Sequence, residues 1–321
     1  MIVVTGAAGF IGSYLVGKLN KAGYNDLILV DKFNDPWKDL NLLKKKYIKF
    51  IDRDAIFMWL VKNAHNVEFV FHLGANTDTT GEEVKLYQPL NVMYSQRLWN
   101  ICSEINVPLL YASSAATYGN GESGFSDLHR NIPNLRPLNL YGWSKQDFDV
   151  WALKQFRTPP FWAGMKFFNV YGPNEYHKNR MASVVLHAYK TIKQNHKMEL
   201  FRSHHSDYKD GEQSRDFIYV DDIADVMIYF METQKNTGIY NVGTGKARSF
   251  LDLTTSVFNS MNITPDISFV DTPVDLRGRY QYFTEAKMQK LRDIGYTKQF
   301  IELEEGVDKY VSKYLAVEAC Y

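Results

Sequence analysis

The sequence predicts an α/β fold in which a doubly wound parallel sheet is joined to a smaller α/β lobe, and three observations lead there. Short apolar runs alternate with helical patterns through the first half of the chain, the pattern of a parallel sheet covered by helices on both faces. Right-handed crossovers make such a sheet doubly wound. A glycine-rich turn separates the first strand from the first helix, and an acid closes the second strand. After Asn169 the alternation loosens into segments richer in His, Asn, Lys and aromatic residues, where a second lobe is expected.

Taken in order, the apolar runs place strands at 2–5, 27–31, 47–51, 69–73, 108–113 and 164–168. Amphipathic or buried helices fall between them near 11–21, 55–63, 86–105 and 144–156. The second half offers a helix at 182–195, a polar excursion at 202–212, a strand at 217–220, a helix at 221–232 and a strand at 238–242. A helix from Phe250, a strand near 267–270 and helices near 284–291 and 301–314 complete the chain. Without an internal repeat or low-complexity linker, two interleaved lobes are expected. A dinucleotide-binding lobe takes 1–168, 217–247 and 281–296; a substrate lobe takes 169–216, 248–280 and 297–321.

Composition narrows the partners. The 321 residues are 45% hydrophobic, enough for a large core. Thirty-seven Lys and Arg balance 36 Asp and Glu, a formal net charge of +1, so no strong field favours nucleic acid or an anionic membrane. Cys102 and Cys320 show no metal-type spacing and cannot build a disulfide framework, which suits a reducing, cytoplasmic setting. The chain starts on a strand rather than a charged leader, and no apolar run reaches membrane-span length. His177, His187, His204 and His205 fit no metal-ligand pattern, and His72 reads as a satisfied core residue or a neighbour of the cofactor loop.

The first chemical signal is Thr5-Gly6-Ala7-Ala8-Gly9-Phe10-Ile11-Gly12, between a strand and a helix. One glycine permits the tight turn, one lets backbone approach a pyrophosphate, and one lets helix pack close to sheet. The helix N-terminus offers unpaired N–H groups to phosphate. Asp31, at the end of the second strand, is placed to accept ribose hydroxyls, as in NAD binding. Lys32, Lys38 and Arg53 could instead surround a 2′-phosphate, so the residues alone leave NAD and NADP open.

The second signal is Ser113-Ser114-Ala115-Ala116-Thr117-Tyr118-Gly119 after the fifth strand, followed by Tyr141-Gly142-Trp143-Ser144-Lys145 on an expected helix. Tyr141 and Lys145, four apart, share one helical face. A cationic Lys145 should lower the Tyr141 phenol pKa, Ser114 should hold the substrate oxygen, and Lys145 should also reach the nicotinamide ribose.

In this order the segments resemble the extended short-chain dehydrogenases/reductases, the Rossmann-fold branch that modifies nucleotide sugars. Arg215-Asp216-Phe217-Ile218-Tyr219-Val220-Asp221-Asp222 and Asn241-Val242-Gly243-Thr244-Gly245 extend the likeness along the chain. The dehydratases of that branch carry an Asp-Glu pair after the active-site hydroxyl. Here Ala115-Ala116 follow Ser114, so dehydration is disfavoured. Phe168-Asn169-Val170-Tyr171-Gly172-Pro173-Asn174-Glu175-Tyr176-His177-Lys178, then Met181-Ala182-Ser183 and Gly278-Arg279-Tyr280-Gln281, resemble the subgroup that epimerises C6″ of an ADP-heptose for lipopolysaccharide synthesis.

That resemblance implies a tightly held NADP, with NAD as the alternative, and Tyr141 and Lys178 as two acid/bases serving the two faces of one ketone. It places cofactor contacts at Phe10, Ile11, Asp31, Lys38, Arg53, Leu73, Gly74, Ala75, Asn76, Thr77, Asn91, Lys145 and Val170, with Lys32 and Lys178 beside them. The ADP-sugar falls to Ser114, Asn169, Arg180, His187, Phe201, Arg215 and Tyr280. Arg215 suits a pyrophosphate because its fork binds oxyanions bidentately. The resemblance also implies a homo-oligomer, a pentamer. Three departures bear on the sugar or its surroundings: Lys32 where the pattern has Asn, Arg180 where it has a small residue, and a longer 203–214 segment. A UDP-hexose 4-epimerase is the alternative on the same fold, and a non-catalytic dinucleotide-sensing scaffold the alternative of another class.

Overall fold

The computed structural model describes residues 1–32, 35–277 and 281–321. Strands β1 (Ile2–Thr5), β2 (Leu27–Asp31), β3 (Lys49–Asp52), β4 (Phe69–His72), β5 (Leu109–Ser114) and β6 (Trp162–Phe167) come first. The short β7 (Asn169–Tyr171), β8 (Met198–Phe201), β9 (Ser214–Arg215) and β10 (Phe217–Tyr219) precede β11 (Gly238–Val242), β12 (Arg248–Ser249) and β13 (Ile267–Val270). Seven of them form one parallel sheet in the order β3-β2-β1-β4-β5-β6-β11. This is the doubly wound sheet expected, and its order reverses between β1 and β4, where open α/β sheets bind ligands.

The strands alternate faces with a period of two. Ile2, Val4, Leu27, Leu29, Phe69 and Phe71 enter one apolar cluster. Val3, Ile28, Val30 and Val70 enter the cluster on the other side, with Leu98 and Trp99. Both faces are buried, which is why these strands read as unbroken apolar runs. The helices are α1 (Phe10–Lys21), α2 (Pro36–Asp39), α3 (Ile56–Lys62), α4 (Tyr94–Glu104), α5 (Leu140–Leu153), α6 (Val184–Asn195), α7 (Val220–Thr233), α8 (Phe250–Ser260), α9 (Val274–Arg277), α10 (Gln289–Asp293) and α11 (Leu303–Tyr310). Among the described residues, none is long and apolar enough to cross a membrane.

Several boundaries differ from expectation for physical reasons. The helix expected over 86–105 is divided into a 3₁₀ turn at Val84–Leu86, a π-helical turn at Gln88–Met93 and α4. Pro89 has no N–H to continue the ladder. The helix expected from 144 begins at Leu140, because Asn139 caps it by accepting from Gly142 N–H at 2.8 Å; Tyr141 is therefore helical. β7 and β8, too short to show a period, form two-stranded parallel pairs with β10 and β13.

A buried ion pair lies under the C-terminal edge of the sheet. Lys166 of β6 donates to Asp149 of α5 at 2.6 Å, with both side chains wholly buried. Asp149 also accepts from Tyr111 at 2.9 Å and Ser113 at 2.6 Å, and Lys166 donates to Thr117 at 2.7 Å. Removing one partner strands the other charge in the core. Lys166→Met should therefore cost about 3–5 kcal/mol in denaturant unfolding. A loss below about 1 kcal/mol would mean that Asp149 takes up a proton instead.

Candidate active site

Where the sheet order reverses, the chain leaves β1 through Gly6, at φ +68, a backbone region that favours glycine. A Cβ there would sit 2.7 Å from Gly74 N, and one on Gly12 would sit 2.1 Å from Gly6 O. The loop after β4 and the first turn of α1 thus approach to backbone distance. The result is a cavity of about 740 Å³. Gly6, Gly9, Phe10, Ile11, Gly12, Asp31, Lys32, Lys38, Arg53, Leu73, Gly74, Ala75, Asn76, Thr77, Lys178 and Arg180 line it.

At one end of the cavity the Asp31 carboxylate accepts from Ala8 N–H at 3.0 Å and Lys32 N–H at 2.8 Å, and Lys38 stands 3.6 Å away. Two of its acceptor positions are thus spent on the protein's own loop. Among the described residues, Arg53 Nε is buried with no hydrogen-bond partner. A glycine cradle with a guanidinium nitrogen that makes no hydrogen bond, 3.8 Å from the Asp54 carboxylate, and two lysines beside it fits a nicotinamide dinucleotide whose adenosine end carries phosphate.

Asn91 takes a different place from the one expected. It is buried and spends its amide within the protein, accepting from Asn76 N–H at 2.8 Å and donating to Asn76 O and Ser144 Oγ, each at 2.9 Å. Its contact with the cavity therefore runs through the Asn76 loop. His72 is the buried neighbour of the cofactor loop that the sequence suggests. Gly74 N–H donates to Thr5 Oγ1 at 3.2 Å, and Thr5 meets His72 Nδ1 at 2.7 Å. His72 Nε2 meets Ser95 Oγ at 2.9 Å, and Ser95 donates to Asn91 O at 2.8 Å. Because Ser95 and Thr5 each have one proton to give, the run assigns the Nε2–H tautomer. Burial and the Lys145 charge push the imidazole pKa down to about 3.

The Ser-Tyr-Lys group assembles at the end of β5. Ser114 lies in register with Phe167, which lines the cavity, as does Ala112 two residues before it. Ser114 Oγ accepts from Ala116 N–H at 3.1 Å and is hydrogen-bonded to the Tyr141 phenol. Tyr141, Lys145 and Asp149 follow one another at four-residue spacing along α5. Lys145 is buried, donates to Ala112 O at 2.8 Å, and is pushed down to about 8 by burial.

The expected lowering of the phenol by Lys145 is corrected here. Burial raises the Tyr141 pKa, the Ser114 hydroxyl opposes it, and the Asp149 charge adds to the rise. Lys145 donates to a carbonyl, and the Ser114 hydroxyl is the group that lowers the phenol.

Lys178 arrives from the other side, on a 3₁₀ turn at Tyr176–Met181 that follows β7 and kinks at Asn179, φ +46. The side chain is partly buried, and its pKa is lowered by that burial and by Lys38, against the opposing Glu175 carboxylate. Arg180 bridges to Asp78 at 3.0 Å and to Thr80 at 2.5 Å. Asp78 lines the cavity and was not foreseen; nothing local marks an acid 102 residues from its partner.

The expected sugar-binding residues are more dispersed. Asn169 is exposed at the start of β7, Val170 follows it half-buried, and His187 lies half-buried on α6. Phe201 ends β8 at 37% exposure. Arg215 is buried, with its guanidinium on the carbonyls of Ser214 and Gln281 and over the Phe250 ring. Tyr280 lies outside the described residues.

The model of the NAD dependent epimerase/dehydratase family matches residues 2–243. The ADP-L-glycero-D-manno-heptose-6-epimerase of Fusobacterium nucleatum subsp. nucleatum is 49% identical over 331 residues, covering 100% of both chains. That of Nitratidesulfovibrio vulgaris is 48% identical over 98% of each chain. Among solved structures, the Helicobacter pylori ADP-L-glycero-D-manno-heptose-6-epimerase is similar with a TM-score of 0.80 at 28% identity, covering 97% of this chain and 95% of that one. The Thermus thermophilus UDP-glucose 4-epimerase in complex with NAD, at TM-score 0.77 and 22% identity over 97% of each chain, shares the fold.

The neutral His72 carries a pH signature. Its folded pKa lies below the ordinary 6.5, so below that pH the unfolded chain binds a proton that the native site refuses. Stability is complete above about pH 6.5 and falls with acidification toward pH 3, by up to about 1.4 kcal/mol per unit for this group. His129 and His177, each lowered to about 4 by burial, add to it. His72→Gln should flatten the pH dependence of the unfolding free energy by up to one proton; an unchanged slope would mean that His72 is charged in the native state.

Proposed function

The chain belongs to the NAD dependent epimerase/dehydratase family, and from that membership we propose that it inverts C6″ of ADP-D-glycero-D-manno-heptose to give ADP-L-glycero-D-manno-heptose on bound NADP. One observation carries the reading: Lys178, a second proton carrier besides Tyr141, stands in the wall of the cavity that the glycine loop lines. The sugar follows from the relatives at 48–49% identity. Lys32, Lys38 and Arg53 around an already engaged Asp31 support NADP over NAD. The unpaired Cys102 and Cys320 support a reducing, cytoplasmic setting. Self-association, by resemblance a pentamer, has the exposed Phe50 of edge strand β3 and the exposed Ile48 before it as support.

Bound nicotinamide supplies a two-electron acceptor for the C6″ hydride and returns it to the same carbon. Ser114 orients the reacting oxygen. As the C–H electrons leave, one of Tyr141 and Lys178 takes the hydroxyl proton, and the sugar becomes a ketone. The ketone then presents its opposite face, and the other acid/base delivers a proton to oxygen as the C–H bond re-forms. Carbon is oxidised and reduced once each, so nothing is consumed.

The two environments suit a division of labour. Burial keeps the Tyr141 phenol protonated and able to donate, whereas burial moves Lys178 toward the neutral amine that accepts.

Purified protein given the D,D-sugar should produce the L,D-epimer without added cofactor, and denaturation should release a mass of NADP; release of NAD alone would overturn the cofactor assignment. Tyr141→Phe and Lys178→Met should each lower kcat by about 10²–10⁴ with little change in KM. If Lys178→Met kept activity within about threefold of the parent, the two-base reading would fall and a single-base 4-epimerase would take its place.

A further inference from the structure

Three residues before Lys178 stands Glu175, which the reaction described above does not use. It is wholly buried. Ser183 N–H donates to one of its carboxylate oxygens at 2.5 Å and Ser183 Oγ to the other at 2.6 Å. The Ser183 hydroxyl oxygen in turn accepts from Leu186 N–H at 3.3 Å, capping α6, so its proton is the one given to Glu175. Burial raises the Glu175 pKa, and the two Ser183 donors, the Lys178 charge and the Tyr310 hydroxyl oppose that rise, so both carboxylate oxygens act as acceptors, the arrangement of an ionised group.

The chord from Glu175 to Ser183 closes the kinked turn that carries Lys178. Within it Lys178 N–H donates to Glu175 O at 2.9 Å and Ala182 N–H to Asn179 O at 3.1 Å. Behind the turn, Asn41 Nδ2 donates to Asn174 O at 3.0 Å and approaches His177 Nδ1 at 3.4 Å. The turn is thus pinned at its start and its end, and only its middle faces the cavity.

We propose that Glu175 is the positioning residue of Lys178: it closes the turn through Ser183 and supplies the buried counter-charge that keeps the Lys178 amine able to take up and hold a proton. The proposal rests on Lys178 being one of the two acid/bases. The charged and titratable groups around Lys178 are Glu175 on its own turn, Lys38 across the cavity, and His177 with Asp31 and Asp35 beside it. Glu175 opposes the burial of Lys178, whereas Lys38 reinforces it. His177 is lowered to about 4 and so is neutral at working pH. An acid/base that must both accept and donate needs its pKa near the operating pH; burial alone would carry a lysine past that point, and a carboxylate fixed on the same turn restrains it.

The test reads the protonation of Lys178 directly, by pH-dependent amine labelling of the purified holoenzyme with acetic anhydride and mass spectrometry of the Lys178 peptide. Glu175→Gln should move the Lys178 labelling midpoint down by about one pH unit or more, and shift the matching limb of the kcat profile with it. Ser183→Ala removes the hydroxyl half of the tie but keeps the backbone half and the carboxylate, and should leave that midpoint within about 0.3 unit while lowering thermal stability. Glu175→Asp, which keeps the charge at shorter reach, should recover most of the Glu175→Gln loss in kcat. An unmoved midpoint in Glu175→Gln, or an equal shift in Ser183→Ala, overturns the proposal. Should Glu175→Gln fail to fold, Glu175→Met, which removes the charge and fills a similar volume, decides: no downward shift overturns it. Lys178→Met tells the two readings apart, since its full activity removes the acid/base role of Lys178 whatever the labelling shows.

Discussion

The elements that carry the Ser-Tyr-Lys group and the glycine loop are joined by one directed run of hydrogen bonds. From Gly74 it passes through Thr5, His72 and Ser95 to the carbonyl of Asn91. The Asn91 amide then reaches Ser144, which donates to Tyr141 O at 2.7 Å. The run crosses from the loop after β4 to β1, then to α4 and α5. Its polarity is consistent in one direction only, and only with a neutral His72. A second proton on the imidazole would turn Nδ1 into a donor and take from the Thr5 hydroxyl proton its acceptor. Burial makes that proton costly, so the hydrophobic core around His72 is what holds the register of the catalytic helix against the cofactor loop.

Charge is handled by the same logic of pairing inside low dielectric. Beneath the site, Asp149 and Lys166 neutralise each other with both carboxylate oxygens engaged, and Asp149 still reaches Tyr141 and Lys145 through space. At the adenosine end, Asp31 is neutralised in part by Lys38 and braced by two backbone amides. At the Lys178 turn the balance is looser, with Glu175 on one side and Lys38 on the other. The tightest pairing belongs to the frame, and the loosest to the turn in the cavity wall.

Much of the fold was legible because it depends on local periodicity. The strands near 2–5, 27–31, 69–73 and 238–242 came out within a residue of expectation, since each is an apolar run of sheet-core length between turns. The long helix at 86–105 misled because its apolar period continues across Pro89, while the missing N–H acts at one position. β7, β9 and β12 have two or three residues each and no period to detect. In the site, the glycine loop and the Ser-Tyr-Lys order were readable as motifs, whereas Asp78, Asn91 and Glu175 act through partners distant in sequence or by burial.

The sequence by itself determined the sheet, the dinucleotide loop and the kinds of side chain available for proton transfer, because spacing along the chain is enough to specify a turn, a helix face or a strand. Only the tertiary structure decided what those side chains are chemically. It put Lys145 on a carbonyl instead of against the phenol, raised Tyr141, lowered Lys178, and gave Asp31 to its own loop. Protonation and hydrogen-bond commitment depend on burial and on charges brought together from remote segments, and neither quantity exists until the chain has folded.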